Sequence, residues 1–392
     1  MLLHKLTLKN ILSFRNSTVE LGPLNVLIGP NAVGKSNLIE AISLLQAAPT
    51  SLAKEILRGG GVRQWIWLGA EGTSFRASLD CEITLSNGHL RPLTYALEFS
   101  DDANEVRIES EYLEEIRIDD RGSSYPDIYF SRSGSDAGFG PKTLELTDND
   151  SKAAISPSES VLSRFKNPLD RTPITRLGNH FERIRIFREF RTGVGSSARY
   201  GISTSVPKDF LSEGGDNLAL VLHELDFRGR HDRIRDYLVR FCERFEDVKI
   251  RVGEGIAQAF LRETGLTESL SAIRMSDGTL KFLCLLAALF NPSPPPLICI
   301  EEPELGMHPD AMRLIAEALV EASERVQLVI TTHSEALIDA LSERPDSILV
   351  CERDFDNGTQ FRHLSSNELE EWLEHYTLGE LWRKGEIGGR RW

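Results

Sequence analysis

No apolar run in this chain approaches the roughly 20 residues that span a bilayer; the longest candidate, Phe282 to Phe290, stops far short of it. No membrane-spanning helix is expected. The start, Met1-Leu2-Leu3-His4-Lys5, runs straight into an alternating stretch and lacks the basic, apolar and small-residue order of a signal peptide, so a cytoplasmic location is expected. Cysteine is sparse, five residues in 392 with no C-x-x-C spacing, and Cys284 and Cys299 sit inside apolar runs. Packed, reduced thiols are expected in place of a disulfide framework or a thiolate metal site. Neither an internal repeat nor a heptad stretch is present, which excludes long coiled-coil arms. Basic residues are in deficit, 45 Lys and Arg against 59 Asp and Glu for a net charge of −14, so the surface as a whole is not a phosphate-binding face. Any DNA contact has to be local. The candidate stretch is Arg171 to Arg199, where Arg176, Arg183, Arg185, Arg188 and Arg191 outnumber Glu182 and Glu189. A strand through Arg183, Ile184, Arg185 and Ile186 would put both guanidinium groups on one face; the competing reading is a solvated strand face or internal salt bridges.

With 41% hydrophobic residues, the chain can bury a sizeable core. Strands are expected near Leu2 to Leu8 and Ser17 to Leu21, then an apolar strand Leu24 to Ile28 that runs into a glycine-containing loop. Leu38, Ile39, Ile42 and Leu45 recur at helical spacing and predict a helix from about Lys35 to Ala47. Alternation from Phe75 to about Ile118, with Asn87-Gly88 as a hairpin turn, predicts an antiparallel lobe. Between Arg121 and Pro173 turn-forming residues recur without a period, so loops and short strands are expected. Helices follow at Leu218 to Leu225 and Asp232 to Phe245, with strands in Arg251 to Gly265. A helix Thr279 to Phe290, a buried strand Leu297 to Ile300, a helix Asp310 to Ala322, a strand Leu328 to Thr331 and a helix Ser334 to Leu341 complete a β-α-β-α order.

Gly29-Pro30-Asn31-Ala32-Val33-Gly34-Lys35-Ser36 fits G-x-x-x-x-G-K-[ST] between a strand and a helix, the context that gives this motif its meaning. Its glycines let backbone N–H groups, continuing into Asn37, curl around phosphates at a helix N-terminus. Lys35 would reach the β and γ phosphates of ATP and the Ser36 hydroxyl would ligate Mg²⁺. The strand Leu297 to Ile300 ends in Glu301-Glu302, as a Walker B element does: the first acid supports the metal and the second polarises the attacking water. Two acids at a strand end are usually only solvated. Together with the loop at Gly29 to Ser36 they read as a catalytic pair.

Met275-Ser276-Asp277-Gly278-Thr279 before an apolar helix, Thr331-Thr332-His333-Ser334 after an apolar strand, and Glu302-Pro303-Glu304-Leu305-Gly306-Met307-His308-Pro309 complete the set. These resemble the signature motif, switch histidine and E-P-E-x-x-x-H-P segment of ABC-class P-loop ATPases in the RecF, SMC and OLD-like group. The chain looks like a compact, stand-alone bacterial AAA-family member of that group, without coiled coil or Toprim domain. The resemblance implies an α/β P-loop NTPase with an ABC-ATPase head, a mixed sheet flanked by helices, plus an antiparallel β lobe and an inserted α/β segment. On that reading residues 1–75 hold the first part of the head, 76–120 the β lobe, 121–270 an inserted irregular and helical region, 271–364 the second part of the head, and 365–392 a helical tail.

The same resemblance implies that ATP is sandwiched in a head-to-head homodimer, with Ser276 and Gly278 reaching the γ phosphate held by the partner subunit, Asp277 between them in the same nucleotide-facing motif, and His333 sensing the γ phosphate across the hydrolysis site. For Ser276 the plainer reading is a helix N-cap. Asp277 stands where transporter-type signatures carry glycine. Phe14-Arg15 resembles the family's adenine-side and phosphate-side contacts, although a surface Arg beside a packed Phe is equally natural. His308 is expected to organise the loop after Glu302. The family's metal-linking glutamine has only weak candidates, Gln46 and Gln64. Family members of this type often stand beside a nuclease-like or Toprim-like partner in phage defence, which implies an ATPase switch for such a partner. The alternatives are an OLD-type nuclease, for which only a short segment follows His333, and the nucleotide-binding subunit of a transporter.

Overall fold

The structure, a computed structural model, describes residues 2–69, 76–85, 91–118, 124–140, 155–167, 169, 172–354 and 356–388. Its strands, in chain order, begin with β1 (Leu3–Ile11), β2 (Phe14–Glu20), β3 (Leu24–Ile28), β4 (Arg76–Ile83), β5 (Leu93–Asp102), β6 (Glu105–Ile118), β7 (Ser124–Ser133) and β8 (Asp136–Phe139). They continue with β9 (Arg185–Phe187), β10 (Ile202–Ser203), β11 (Phe245–Gly253), β12 (Ile256–Glu263), β13 (Leu270–Ser271), β14 (Leu297–Glu301), β15 (Gln327–Thr331), β16 (Ile348–Asp354) and β17 (Gly358–His363). The chain divides into two compact units, residues 1–184 with 348–364 and 387–392, and residues 185–347 with 365–386.

In the first unit the strands run in the order β8-β7-β6-β5-β4-β1-β2-β17-β16-β3. Neighbours are antiparallel except β16 and β3, which are parallel with Val26 opposite Ile348. Every residue of β3 is buried, as its unbroken Leu-Asn-Val-Leu-Ile run requires, and the one polar member, Asn25, closes a two-way hydrogen bond on Gly22. Helix Lys35–Ala47 buries Leu38, Ile39, Ile42 and Leu45, the predicted stripe, and has the predicted bounds. The antiparallel lobe extends past its expected end, because β7 and β8 form a further hairpin where only loops and short strands were expected. The Asn87-Gly88 turn lies outside the described residues.

The lobe is fastened by buried polar groups. Glu111, fully buried on β6, accepts hydrogen bonds from the Tyr95 hydroxyl, the Ser160 hydroxyl and the Val161 N–H. Burial nevertheless pushes its carboxyl above the usual range, against those three bonds and the nearby Arg132.

The second unit holds a parallel sheet in the order β15-β14-β9 and a small antiparallel sheet of β10, β12, β11 and β13. Helix Asp277–Leu289 is buried on nearly all sides, and Phe282 stacks on Phe241 with ring centroids 4.4 Å apart. That stacking marks where helix His231–Phe241 stops. The helix was expected to reach Phe245, but Cys242 is extended and Phe245 opens β11, whose Phe-Glu-Asp-Val-Lys-Ile-Arg-Val stretch pairs with β12. Cys81, Cys284, Cys299 and Cys351 are buried free thiols, and burial pushes all four above the ordinary thiol value, Cys351 to about 12. No helix among the described residues is long and apolar enough to cross a membrane.

Candidate functional site

In the first unit the loop after β3 turns on backbone conformations that only glycine adopts cheaply. Gly29 has φ 149° and Gly34 φ 109°, and Ala32 between them is left-handed at φ 59°. A Cβ on Gly34 would sit 2.3 Å from Thr359 Oγ1 and 2.4 Å from Ser13 Oγ; one on Gly29 would sit 2.5 Å from the Cys351 carbonyl oxygen. Thr359 Oγ1 donates to the Val33 carbonyl, which pins the loop to β17. Lys35 is buried to 6% exposure, and its amine donates to the carbonyls of Gly29 and Pro30 at 2.9 Å each. The helix it opens has Gly34 as N-cap, no side-chain cap and no acid in its first turn. Glycine as N-cap brings no side-chain acceptor to the first-turn amides. Asn31, Ala32 and Ser36 are exposed and Pro30 is half-buried.

A cavity of about 820 Å³ opens beside this loop, lined among others by Arg15, Ala32, Asn37, Glu40, Gln64, Trp67, Arg353 and Asp356. Arg15 donates from Nη1 to the Asp356 carbonyl at 2.9 Å. Phe14 faces the core instead, fully buried and stacked on Phe361. Trp67 is an aromatic lining residue that the motif did not reveal. Of the two glutamines, Gln64 lines the cavity, whereas Gln46 is bound to the Ile184 carbonyl.

In the second unit β14 delivers Glu301, half-buried with Arg188 Nε 3.8 Å from its carboxylate. Glu302 follows in a left-handed conformation, φ 45°, which costs a residue with a Cβ about 1 kcal/mol or more. Its N–H holds that turn by donating to the Thr331 carbonyl at 2.9 Å and lies 3.3 Å from Thr331 Oγ1. The Glu302 carboxylate stands 3.8 Å from His333 Nε2, so the proposed water-orienting acid and the proposed γ-phosphate sensor share one face.

Glu304 explains how that face is built. Its Oε1 accepts from the Thr332 hydroxyl at 2.6 Å and from the His333 N–H at 2.9 Å, tying the turn after Glu302 to the turn after β15. Burial pushes the Glu304 carboxyl above its ordinary value although those two bonds pull the other way. His308 accepts from the Asp310 N–H through Nδ1 and so caps the turn that leads into helix Met312–Ser323.

Ser276 is exposed and caps helix Asp277–Leu289, its Oγ accepting from the Thr279 N–H at 3.1 Å. Its Oγ also lies 2.8 Å from Thr279 Oγ1, and since Thr279 can donate in that contact, the cap and a phosphate contact are compatible. Asp277, also exposed, receives Arg199 Nη2 at 2.5 Å, and that hydrogen bond holds its carboxyl below the usual range. Gly278 approaches the loop after Glu302 closely: a Cβ there would meet the Gly306 carbonyl at 3.1 Å.

The arginine-rich stretch does not form the expected face. Arg183 ends helix Pro173–Glu182 in a helical conformation, and the strand begins only at Arg185. The two guanidinium groups therefore do not share a strand face. Arg185 stacks over the Phe210 ring at 4.5 Å, Arg191 pairs with Asp216, and Arg199 is buried under the segment that carries Ser276. These arginines serve internal contacts.

Comparison with known proteins bears on the fold and the family. The head of an Smc protein bound to the C-terminal winged-helix domain of ScpA superposes with a TM-score of 0.56 at 12% identity, covering 93% of this chain and 99% of that one. The Smc head from Pyrococcus furiosus, with an extended coiled coil and bound to the C-terminal domain of ScpA, gives 0.52 at 13% identity, covering 95% and 98%. At such identities the likeness is one of fold. The Old nuclease of Escherichia phage P2 is 41% identical over 76 residues, which is 19% of this chain and 12% of that protein, so the match spans only a small part of its length. A family model described as AAA domain, putative AbiEii toxin, Type IV TA system matches residues 24–339, most of the chain and all the motifs from the phosphate loop to His333. The chain belongs to that AAA-domain family and has the fold of an SMC-head P-loop ATPase.

Proposed function

We propose that the chain binds Mg-ATP at Gly29 to Asn37, hydrolyses it with Glu302, and uses nucleotide to join two copies head to head as a switch for a protein partner. The observation that carries the nucleotide assignment is the phosphate loop itself: a buried lysine amine anchored on two loop carbonyls beside a 13-residue helix whose N-terminus no side chain caps. Such a helix end offers amide donors and a positive dipole, which suit a triphosphate. Two oxygen donors are assigned to the cation, each suited to magnesium by its chemistry. Ser36 presents an exposed hydroxyl in the first turn of that helix, and Glu301 presents a half-buried carboxylate at the end of β14. Magnesium, when bound, supplies positive charge that stabilises the negative charge developing on the phosphate oxygens.

Within this reading Lys35 and Arg15 attract and orient phosphate, Glu302 accepts proton density from the attacking water, and His333, 3.8 Å from Glu302, reports whether the γ phosphate is present. Ser276, Asp277 and Gly278 form the surface offered to the nucleotide of the second copy. The partner controlled by the switch is of nuclease-like or Toprim-like chemistry, with a role in antiviral defence. The competing reading, an OLD-type nuclease, draws on the 76-residue match to the Old nuclease. Phosphate release with intact DNA supports the switch; metal-dependent DNA cutting by the purified chain alone establishes the nuclease.

A further inference from the structure

Arg199 lies in the short helix Ser197–Tyr200 and is only 9% exposed. Both terminal nitrogens of its guanidinium are engaged by the segment that precedes and contains the signature residues. Nε donates to the Thr192 carbonyl at 2.5 Å. Nη1 lies within 3.3 Å of the Ala272 and Ile273 carbonyls and donates to the Met275 carbonyl at 2.7 Å, while Nη2 meets the Asp277 carboxylate at 2.5 Å. A single planar fork thus fixes the backbone on one side of Ser276 and the side chain on the other. Lysine, a point charge with no fork, cannot make this set.

We propose that Arg199 is a positioning residue for the signature segment: it holds Ser276 and Gly278 in the conformation that meets a second copy's nucleotide, with Asp277 as its tether. This rests on the ATP-sandwich reading above. Asp277 is exposed, yet its carboxylate is turned onto a buried guanidinium. A glycine there would leave one arm of that guanidinium without its acid. The aspartate that departs from transporter-type signatures therefore belongs to a different means of fixing the same loop.

The test uses the full-length chain carrying Glu302→Gln, which slows hydrolysis, and compares it with the same chain carrying Arg199→Lys, Arg199→Met or Asp277→Asn. Mass is read by light scattering with Mg-ATP over a range of protein concentrations, and ATP affinity of dilute protein by calorimetry. Both Arg199 variants should need on the order of tenfold more protein to dimerise, the size of one lost charge-assisted contact, while dilute-protein ATP affinity stays within about twofold. Asp277→Asn, which keeps an acceptor oxygen and all the carbonyl bonds of Arg199, should lie between them and the parent. Should the Arg199 variants fail to fold, Asp277→Asn alone carries the test, and dimerisation equal to the parent's overturns the tether. Arg199 variants that fold and dimerise like the parent overturn the proposal while leaving the sandwich intact. Weakened ATP binding in dilute protein shows a general structural role and also overturns it. A Glu302→Gln parent that stays monomeric removes the sandwich reading and this proposal together.

Discussion

Lys35 is the charged side chain most tightly built into the phosphate loop, buried and held by the carbonyls of Gly29 and Pro30. Lys35→Ala removes a charge-assisted phosphate contact of about 3 kcal/mol, so ATP affinity should fall by roughly two orders of magnitude. The chain should stay folded, because the amine contributes little to core packing. Calorimetric titration checks the first statement and a thermal melt the second; unchanged affinity overturns the phosphate-loop assignment. Glu304 gives a prediction of the opposite kind. Its carboxyl is raised in the folded chain, chiefly by burial, so the stability linked to it is fully present below its unfolded value, near pH 4.3, and is lost as pH rises through the folded value. Glu304→Gln keeps an acceptor toward Thr332 and His333 without burying a charge. It should be at least as stable as the parent at pH 7, with any advantage shrinking toward pH 4; urea midpoints at the two pH values measure this. The motif residues were legible because spacing along the chain encodes them. The tasks of Glu304 and Arg199 were not, since Thr332 lies 28 positions from Glu304 and Asp277 lies 78 from Arg199, and no local pattern reports such pairings.

Among the elements, the turn between β3 and helix Lys35–Ala47 is the least tolerant. Gly34→Ala would place a methyl group 2.3 Å from the hydroxyl that pins Val33, in a backbone conformation that L residues resist. A loss on the order of 2 kcal/mol in stability and a large loss in ATP binding should follow, read from a melt and a titration. The lobe has its own weak point in Glu111. Glu111→Ala leaves the Tyr95 and Ser160 hydroxyls and the Val161 N–H facing an apolar gap, which should cost about 3 kcal/mol or more in a denaturant melt. The helical stripe of Lys35–Ala47 and the unbroken apolar run of β3 were read to the residue. Helices Leu52–Arg58 and Pro173–Glu182 were not foreseen, and two other stretches were misread. Helix His231–Phe241 was overrun because the apolar spacing of Phe241 and Phe245 suits both a helix and the strand that replaces it. The Arg183 to Ile186 alternation mimicked a strand, while Arg183 is a helix end.

The chain is legible as a P-loop protein of the AAA-domain family because its motifs run in order from Gly29 to His333, and the family match over residues 24–339 includes that span. Its acidic balance confines any nucleic-acid contact to a local patch, and in the candidate stretch Arg185, Arg191 and Arg199 make contacts within the chain. The central claim is that Glu302 drives a hydrolysis step whose substrate also holds two copies together. Glu302→Gln keeps the shape and hydrogen bonding of the side chain and removes the charge that accepts proton density, so turnover should slow by about 100-fold or more. Because Lys35, Ser36 and Glu301 remain, ATP should persist in the site. The most direct measurement is light scattering of Glu302→Gln protein with Mg-ATP, run alongside phosphate release. The account predicts a stable dimer that forms only with ATP and turns over at about a hundredth of the parental rate or less. Parental hydrolysis contradicts the role of Glu302, and an inactive protein that remains monomeric contradicts the sandwich.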